Sequence, residues 1–498
     1  MAMSESNSDA AKVGTAGVLM LFGTATSMLG GLVLRLVVAR NVTPEVFGSV
    51  VLFLSMLNIV SIISILGLNR GVVKYVSGAD SRDERNGFIT ISLVVPMVAG
   101  IVCGLVLTLG AEPIADLLLD SNALLPLVIG ATIPFYGATQ ILASTLRGTM
   151  NTRLYIIYYR IVVPSLKVVA AGLSLLVTMS ALGISTALGL GFVVMAVIGL
   201  LILWHLGWSP QVPSDRRKIR SLFKYSVPLL FAASIYRLLT HFDRFAVGYY
   251  LDTSAVGVYE VALAIGGLLT LFNKSFGFLL FPKVSELKSK NDLREVNAIY
   301  QQTTKLIVLF TTPAFLIVLH RPNVLIALFG EAYEVSRIAP VLSIIALGIL
   351  TPAIVGPTTE ALLGLGRSKA VLGYNVVAVV VNVLLNIALI PVLGLIGAAI
   401  ALFAGYGSIS FLKAADLYLN HDIFVFDVRS IAACTGVVLI TWPLVGRLPS
   451  TSSFLSELLV VSAFGGIVLG FCVALLYLLG GIGQEDKEIA AQFVPGFD

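Results

Sequence analysis

The sequence predicts an all-α membrane protein with about fourteen transmembrane helices. Of its 498 residues, 57% are hydrophobic and only 12% are charged, and the mean hydropathy is +0.98. A soluble protein of this size carries about 25% charged residues. Apolar runs of about 20 residues, each long enough to cross roughly 30 Å of hydrocarbon, recur along the whole chain. These observations together exclude a soluble domain as the main body of the protein.

The predicted spans follow one another through short loops, and no soluble domain is inserted between them. The first apolar stretch lacks a preceding basic region and is longer than a signal-peptide core, so we expect an uncleaved first helix. Cap signals such as Thr43-Pro44 and Asp252-Thr253 open the helices that follow them. In chain order, the spans are expected near residues 13–39, 46–67, 88–110, 123–145, 156–179, 182–204, 225–250, 254–281, 303–320, 338–362, 371–392, 395–418, 429–447 and 454–480.

The basic residues predict the orientation of the chain. An even number of spans places both termini on one side of the membrane. Loops on that side, counted together with the span ends that adjoin them, hold 22 of the 32 Lys and Arg residues; those on the other side hold four, and the remaining six lie within spans. Because cytoplasmic loops carry the excess of basic residues, we expect a multi-pass protein of the cell membrane with both termini in the cytoplasm.

Two stretches of the chain resemble each other at a separation of 209 residues. They are "LRLVVARNVTPEVFGSV" from residue 34 and "DRFAVGYYLDTSAVGVY" from residue 243. At this offset Arg35 aligns with Arg244, and Gly48 aligns with Gly257. Further landmarks in the two halves align at offsets of 211 and 216. The pattern predicts an internal repeat.

The repeat predicts how the chain is divided. Six helices in residues 1–205 would form an N-terminal lobe, and six in residues 206–418 a C-terminal lobe. Since six is an even number, the lobes would have parallel topology, a pseudo-twofold axis along the membrane normal and a site between them. Residues 419–498 would add two further helices and a tail.

Charged residues inside the predicted spans indicate where that site lies. A charge at the centre of a bilayer costs about 2.5–3.5 kcal/mol, so such residues face a bundle interior or a cavity. Acidic residues are too few to neutralise the basic ones. We therefore predict a cationic cavity that binds an anion. Its predicted substrate-binding residues are Arg35, Arg160, Lys167, Arg237, Arg244 and Lys274, supported by His241, Asp243 and Glu260.

Helical spacing groups these residues into stripes. Arg237, His241 and Arg244 lie at i, i+4 and i+7, on one helix face. Arg160 and Lys167 also share a face, with a kink expected at the proline between them. Glu260 and Lys274 are predicted to lie on one stripe of a single helix.

An alternative interpretation is that these charges pair with one another. Asp243 would then neutralise Arg35 or Arg244, and Glu260 would neutralise neighbours of Lys274. Arg35 and Lys274 also lie near helix ends, from which their charged groups could reach the membrane interface. In either case we expect Asp243 to position Arg244 rather than to touch substrate.

The sequence contains none of the common catalytic or nucleotide-binding motifs that we looked for. There is no Walker-A pattern, HExxH or GxSxG, and Cys103, Cys434 and Cys472 fall in apolar runs without CxxC spacing. We expect these cysteines to be small buried hydrophobes. The protein is thus predicted to be no enzyme, to need no cofactor and no metal, and to bind no nucleic acid. The tyrosines of "LYIIYYR", residues 154–160, would anchor a helix at the membrane interface or stack on sugars.

Several short motifs resemble a known family. "DRFAVGYYL" followed by "AVGVYEVA" (243–262), and "LGLGRSK" and "IPVLGLIGAAIA" (363–369 and 390–401), are similar to landmarks of the polysaccharide-biosynthesis, O-antigen-flippase-like proteins. These belong to the multidrug/oligosaccharidyl-lipid/polysaccharide exporter superfamily. The resemblance implies two six-helix lobes with an extra C-terminal pair, and transport of lipid-linked oligosaccharides by alternating access. As partners we expect the lipid-linked glycan and membrane lipids, with H⁺ or Na⁺ as a candidate coupling ion.

The predicted function is accordingly that of a flippase for a lipid-linked oligosaccharide. A phosphate or pyrophosphate of the polyprenyl carrier suits the cavity, because Arg binds it bidentately and Lys as a point charge. One alternative is an ion-coupled multidrug exporter of the same superfamily, for which acidic residues would be expected in the cavity. The other is a membrane glycosyltransferase or polymerase, which usually needs a larger outer loop.

Overall fold

The computed structural model describes residues 23–119, 122–211, 215–424 and 454–478, together with five residues between 432 and 439. All regular structure in these residues is helical, and they contain no strand. The prediction of an all-α protein is confirmed for this part of the chain. The predicted span at 429–447, with Cys434, lies outside the described residues apart from those five. The first ten residues of the predicted first span lie outside them as well.

By packing, the chain divides into two compact units. Unit 1 comprises Met1–Glu260 with Phe329–Ala332, and unit 2 comprises Val261–Leu328 with Tyr333–Asp498. Packing and repeat symmetry need not divide a chain at the same residue. The lobe boundaries expected at residues 205 and 418 therefore stay predictions.

Unit 1 contains nine helices and the beginning of a tenth within its described residues. Both caps predicted from the sequence form: Thr43 accepts from the backbone N–H of Val46 and precedes Pro44, and Asp252 accepts from that of Ala255 at 2.6 Å. The helices are α1 (23–41), α2 (Pro44–Ile65), α3 (Leu68–Ser77), α4 (Arg82–Leu109), α5 (Ala111–Leu118), α6 (Leu124–Gly148), α7 (Thr152–Val177), α8 (Ala181–His205), α9 (Arg216–Tyr250) and α10 (Thr253–Gly267).

In unit 2, the described residues form eight further helices. Arg367 of the "LGLGRSK" landmark donates through Nη2 to Asp416 at 2.7 Å, and Asp416 is 3% exposed. This pair gives the landmark a structural role. The helices are α11 (Thr270–Ser289), α12 (Leu293–His320), α13 (Pro322–Ala327), α14 (Val335–Val355), α15 (Thr358–Gly364), α16 (Ser368–Leu393), α17 (Leu395–His421) and α18 (Phe454–Leu478).

Nine helices of the described chain are long and apolar enough to cross a membrane, or ten if α10 and α11 count as one span. The protein is therefore a multi-pass helical membrane protein, as predicted. The number of fourteen spans stays a prediction.

The span expected at 254–281 is two helices rather than one. α10 ends at Gly267 and α11 begins at Thr270. The glycines at 266 and 267 have low helix propensity, which explains the break. The expectation that Glu260 and Lys274 share a stripe of one continuous helix is therefore wrong.

Small residues let helices of unit 1 approach each other closely. A Cβ on Gly48 of α2 would lie 1.8 Å from the carbonyl oxygen of Thr253, and one on Gly257 of α10 would lie 2.2 Å from that of Pro44. Contacts of this kind are typical of membrane helix pairs. The contact is reciprocal, because Gly48 meets Thr253 and Gly257 meets Pro44. Pro44 and Thr253 are 209 residues apart in the sequence, as are Gly48 and Gly257. The offset found in the sequence thus recurs in the packing of unit 1, while the six-helix repeat itself stays a prediction.

Candidate functional site

A cavity of about 300 Å³ lies within unit 1. α1, α2 and α6–α10 contribute its lining, so it takes side chains from both predicted halves of the repeat. Its ionisable lining residues include four of the six predicted basic residues and two of the three supporting ones. They are Arg35, Arg160, Lys167, His241, Arg244 and Glu260.

Glu260 binds two arginines at once. The Nε of Arg35 lies 2.6 Å from one carboxylate oxygen, and the Nε of Arg244 lies 2.6 Å from the other. Glu260 is 2% exposed and Arg244 is 8% exposed, whereas the Arg35 side chain is 38% exposed. The carboxylate that pairs with Arg35 is thus Glu260, so within the alternative of paired charges, the option that Asp243 neutralises Arg35 is wrong. Asp243 accepts a hydrogen bond from the hydroxyl of Tyr259 at 3.3 Å.

The two arginines make equivalent contacts. Each uses Nε for Glu260 and Nη1 for the backbone carbonyl four residues earlier, which is Gly31 for Arg35 and Thr240 for Arg244. These carbonyls are again 209 residues apart. The bond to the backbone carbonyl fixes the direction of each guanidinium group. Both groups therefore point to the Glu260 carboxylate in the cavity.

Arg160 and Lys167 line the cavity from α7 and form no ion pair within the described part of the chain. The Arg160 guanidinium carbon lies 6.0 Å from the ring centre of Tyr155 and 5.8 Å from that of Tyr159. The Lys167 Nζ lies 5.4 Å from the ring centre of Phe192 on α8. Aromatic faces attract these cations without neutralising them. Both charges therefore remain available to an anion.

The backbone of α7 is distorted where these residues stand. Ile156–Val162 form a π-helical segment, in which the N–H of Val163 bonds to the carbonyl of Tyr158, five residues earlier. Pro164 has no N–H, so the carbonyl of Arg160 lacks its usual helical donor. The Ser27 hydroxyl of α1 donates to that carbonyl at 3.2 Å instead. The sequence predicted a kink at Pro164, and the structure shows this π-helical segment just before it.

Arg237 and His241 face α2. Arg237 Nη1 donates to the carbonyl of Asn58 at 3.3 Å and to the hydroxyl of Ser61 at 3.1 Å, and the His241 Nδ1 lies 3.3 Å from the hydroxyl of Ser55. On the face predicted from their spacing, Arg237 therefore packs against α2, while Arg244 lines the cavity. His241 lines the cavity, but Arg237 and Asp243 do not.

Lys274 belongs to unit 2 and is not a lining residue either. The assignment of Arg237 and Lys274 to substrate binding stays a prediction.

Uncharged polar residues complete the lining, and of these only Tyr159 was considered from the sequence. Tyr136 donates to the Asn58 side chain at 2.8 Å, and Tyr159 donates to that of Gln140 at 2.9 Å. Asn58 and Gln140 interrupt apolar runs, which was the available signal. The expected interfacial anchoring is wrong for Tyr158, which is fully buried and donates to the carbonyl of Met195. Of the two roles considered for these tyrosines, the position of Tyr159 in the cavity favours contact with a ligand.

The fold and this lining define a class of protein: a multi-pass helical membrane protein with a polar cavity that carries excess positive charge. The family model described as "Polysaccharide biosynthesis protein" matches residues 37–338, which is more than half of the chain. The chain belongs to this family. The resemblance predicted from the sequence motifs is thereby confirmed.

Two relatives come from Haloferax volcanii. The chain is 26% identical over 259 residues to the "Probable low-salt glycan biosynthesis flippase Agl15", covering 52% of this chain and 53% of Agl15. It is 24% identical over 394 residues to the "Probable flippase AglR", covering 78% and 80%. The match thus spans about half the length of Agl15 and most of AglR.

Among solved structures, the fold is similar to "Lipid II flippase MurJ, inward closed conformation". The TM-score is 0.75 with 16% sequence identity, and the match covers 92% of this chain and 99% of MurJ. At this identity the likeness shows a shared fold.

Proposed function

We propose that this protein is a flippase, which moves a lipid-linked oligosaccharide across the cell membrane by alternating access. The carrier would be a polyprenyl phosphate or pyrophosphate, whose head group enters the cavity of unit 1 while its tail stays in lipid. The family, the flippase names of its relatives and the MurJ-like fold support this proposal.

One observation carries the choice of an anionic substrate. Four basic residues line the cavity beside the single carboxylate of Glu260, and that carboxylate is shared by Arg35 and Arg244. Arg160 and Lys167 are left without a carboxylate among the described residues. A phosphate would form charge-assisted hydrogen bonds with both. The same excess of bases disfavours a multidrug exporter of cations.

The remaining features of the transporter follow from the sequence and belong to this proposal. Both termini lie in the cytoplasm, the two predicted lobes rock against each other around the site, and H⁺ or Na⁺ is a candidate coupling ion. The polytopic helices place membrane lipids around the protein. Catalysis is not part of the proposal.

Lys167→Gln tests the function most directly. We expect normal protein levels, because this lysine has no ionic partner among the described residues to leave unpaired. We also expect loss of glycan export from a host whose own transporter gene is deleted. In detergent, binding of farnesyl diphosphate should weaken about ten- to a hundredfold, the value of a hydrogen bond to a charged group. Farnesol serves as the uncharged control ligand.

A matched control is Lys413→Gln. Lys413 is buried, at 4% exposure, lies in unit 2 and donates to the Thr359 hydroxyl at 2.8 Å. Its loss should reduce protein stability and leave farnesyl diphosphate affinity per folded molecule near wild type. Normal export and binding by Lys167→Gln would contradict the proposed function of the cavity.

A further inference from the structure

We propose that Glu260 is a resident counter-anion, which occupies the place that the substrate's phosphate takes between Arg35 and Arg244. Its carboxylate must leave the two guanidinium groups before the phosphate binds them, so it limits the affinity of the cavity. This inference rests on the proposed function and adds a specific competitor to it.

The contacts of the two arginines show that the place is built for one anion. Both guanidinium groups reach it with Nε at 2.6 Å, and each is held by a backbone carbonyl of its own helix. These contacts use Nε and Nη1 of each arginine. The five N–H donors of a guanidinium leave further donors for a larger anion.

The local symmetry of unit 1 supports the same conclusion. Arg35 and Arg244, and Gly48 and Gly257, are related by 209 residues, and each pair makes reciprocal or equivalent contacts. At this offset the counterpart of Glu260 is Val51, which also lines the cavity and is 6% exposed. The site thus holds two arginines but only one carboxylate, whereas full symmetry would place a second carboxylate at position 51.

A phosphate competes well with this carboxylate. It carries at least as much charge and presents tetrahedral oxygens to both guanidinium forks, where a carboxylate has only two oxygens. Arg160 and Lys167 add attraction that Glu260 does not satisfy. When the phosphate leaves, Glu260 returns to the arginines and takes the place of the lost anion. A shared carboxylate therefore favours release as well as selectivity for anions.

The test uses the full-length protein in detergent, with farnesyl diphosphate as the ligand and farnesol as the uncharged control. Glu260→Gln keeps the shape but removes the charge, so farnesyl diphosphate should bind about tenfold tighter. Val51→Glu gives each arginine its own carboxylate, so binding should weaken about tenfold. Val51→Gln, which adds the same volume without charge, should bind more tightly than Val51→Glu.

The outcomes separate this inference from the function on which it rests. If the wild type binds farnesyl diphosphate but Glu260→Gln binds it equally or more weakly, Glu260 is a structural partner only and the inference is wrong. If Glu260→Gln does not fold, Val51→Glu decides, and equal affinity of Val51→Glu and Val51→Gln overturns the inference. Failure of the wild type to bind farnesyl diphosphate refutes the proposed function, and this inference with it.

Discussion

The ammonium group of Lys167 lies 5.4 Å from the centre of the Phe192 ring, on the neighbouring helix α8. Lys167 therefore has an aromatic neighbour where a lysine inside a membrane helix usually has a carboxylate. An aromatic face orients the charge and leaves it able to bind an anion.

Phe192→Leu should accordingly weaken ligand binding without removing any charge. A desolvated cation–π contact contributes about 0.5–2 kcal/mol, so farnesyl diphosphate affinity should fall about two- to thirtyfold. Phe88→Leu is a matched control, because Phe88 is equally buried but contacts Tyr75 rather than a cavity residue. Equal affinity of the two variants would show that the Phe192 ring only fills space.

The glycine contact between α2 and α10 predicts two equivalent variants. Gly48→Ala and Gly257→Ala each push a methyl group into a backbone carbonyl, so each should destabilise the protein by about 1–3 kcal/mol. We expect similar losses of melting temperature in detergent, since the contact is reciprocal. Gly172→Ala on α7 is the control, because a Cβ there meets nothing within 4 Å. A large effect at only one of the two glycines would contradict the local symmetry.

The hydrogen bond from Ser27 to the carbonyl of Arg160 predicts a smaller effect. Ser27→Ala leaves this carbonyl without its observed donor, and such hydrogen bonds in membrane proteins contribute about 0.6 kcal/mol on average. A thermal-denaturation curve should show a small loss of stability, and farnesyl diphosphate affinity should fall as Arg160 loses its fixed position. Ser27→Thr retains the hydroxyl and should restore both quantities. Equal behaviour of the Ala and Thr variants would exclude the hydrogen bond as the cause.

The predicted orientation can be tested with single cysteines in a background without the three native ones. Glu331 and Ser289 are both exposed in the structure and are predicted to lie on opposite sides of the membrane. An impermeant thiol reagent should label Glu331→Cys in intact cells, and Ser289→Cys only after permeabilisation. Labelling of Ser289→Cys in intact cells would reverse the proposed topology.

Hydropathy and spacing were sufficient to predict the helical membrane fold and four basic residues that line one cavity. Arg35 and Arg244 illustrate why. The constant offset of a repeat identifies them as equivalent positions, and a charged side chain in a transmembrane helix faces the bundle interior or a cavity and not lipid. The same reasoning placed Arg160 and Lys167 on one side of a helix, and both line the cavity.

The pairing of these charges could not be predicted in the same way. Glu260 reaches both arginines because α2 and α10 cross closely at two glycines, and helix crossings are not encoded in the periodicity of either helix. Lys274 was misplaced on a continuous stripe, although the two glycines before it were a visible signal of a break. The lining residues Asn58 and Gln140 were not predicted, because a pattern of charges does not mark uncharged polar side chains.

The π-helical segment at Ile156–Val162 makes the length of α7 as important as its composition. An α-helix turns about 100° per residue, and a π-helical turn holds one residue more than an α-helical turn. Deleting Ile161 or Val162, which are not among the lining residues, would restore α-helical geometry and swing Arg160, with the aromatic rings beside it, about a quarter turn away from Lys167. Every side chain of the cavity would still be present in such a protein, yet the two cations would no longer converge. An inventory of side chains would therefore overlook the deletion, and a one-residue gap here in an alignment would mark a change of site geometry.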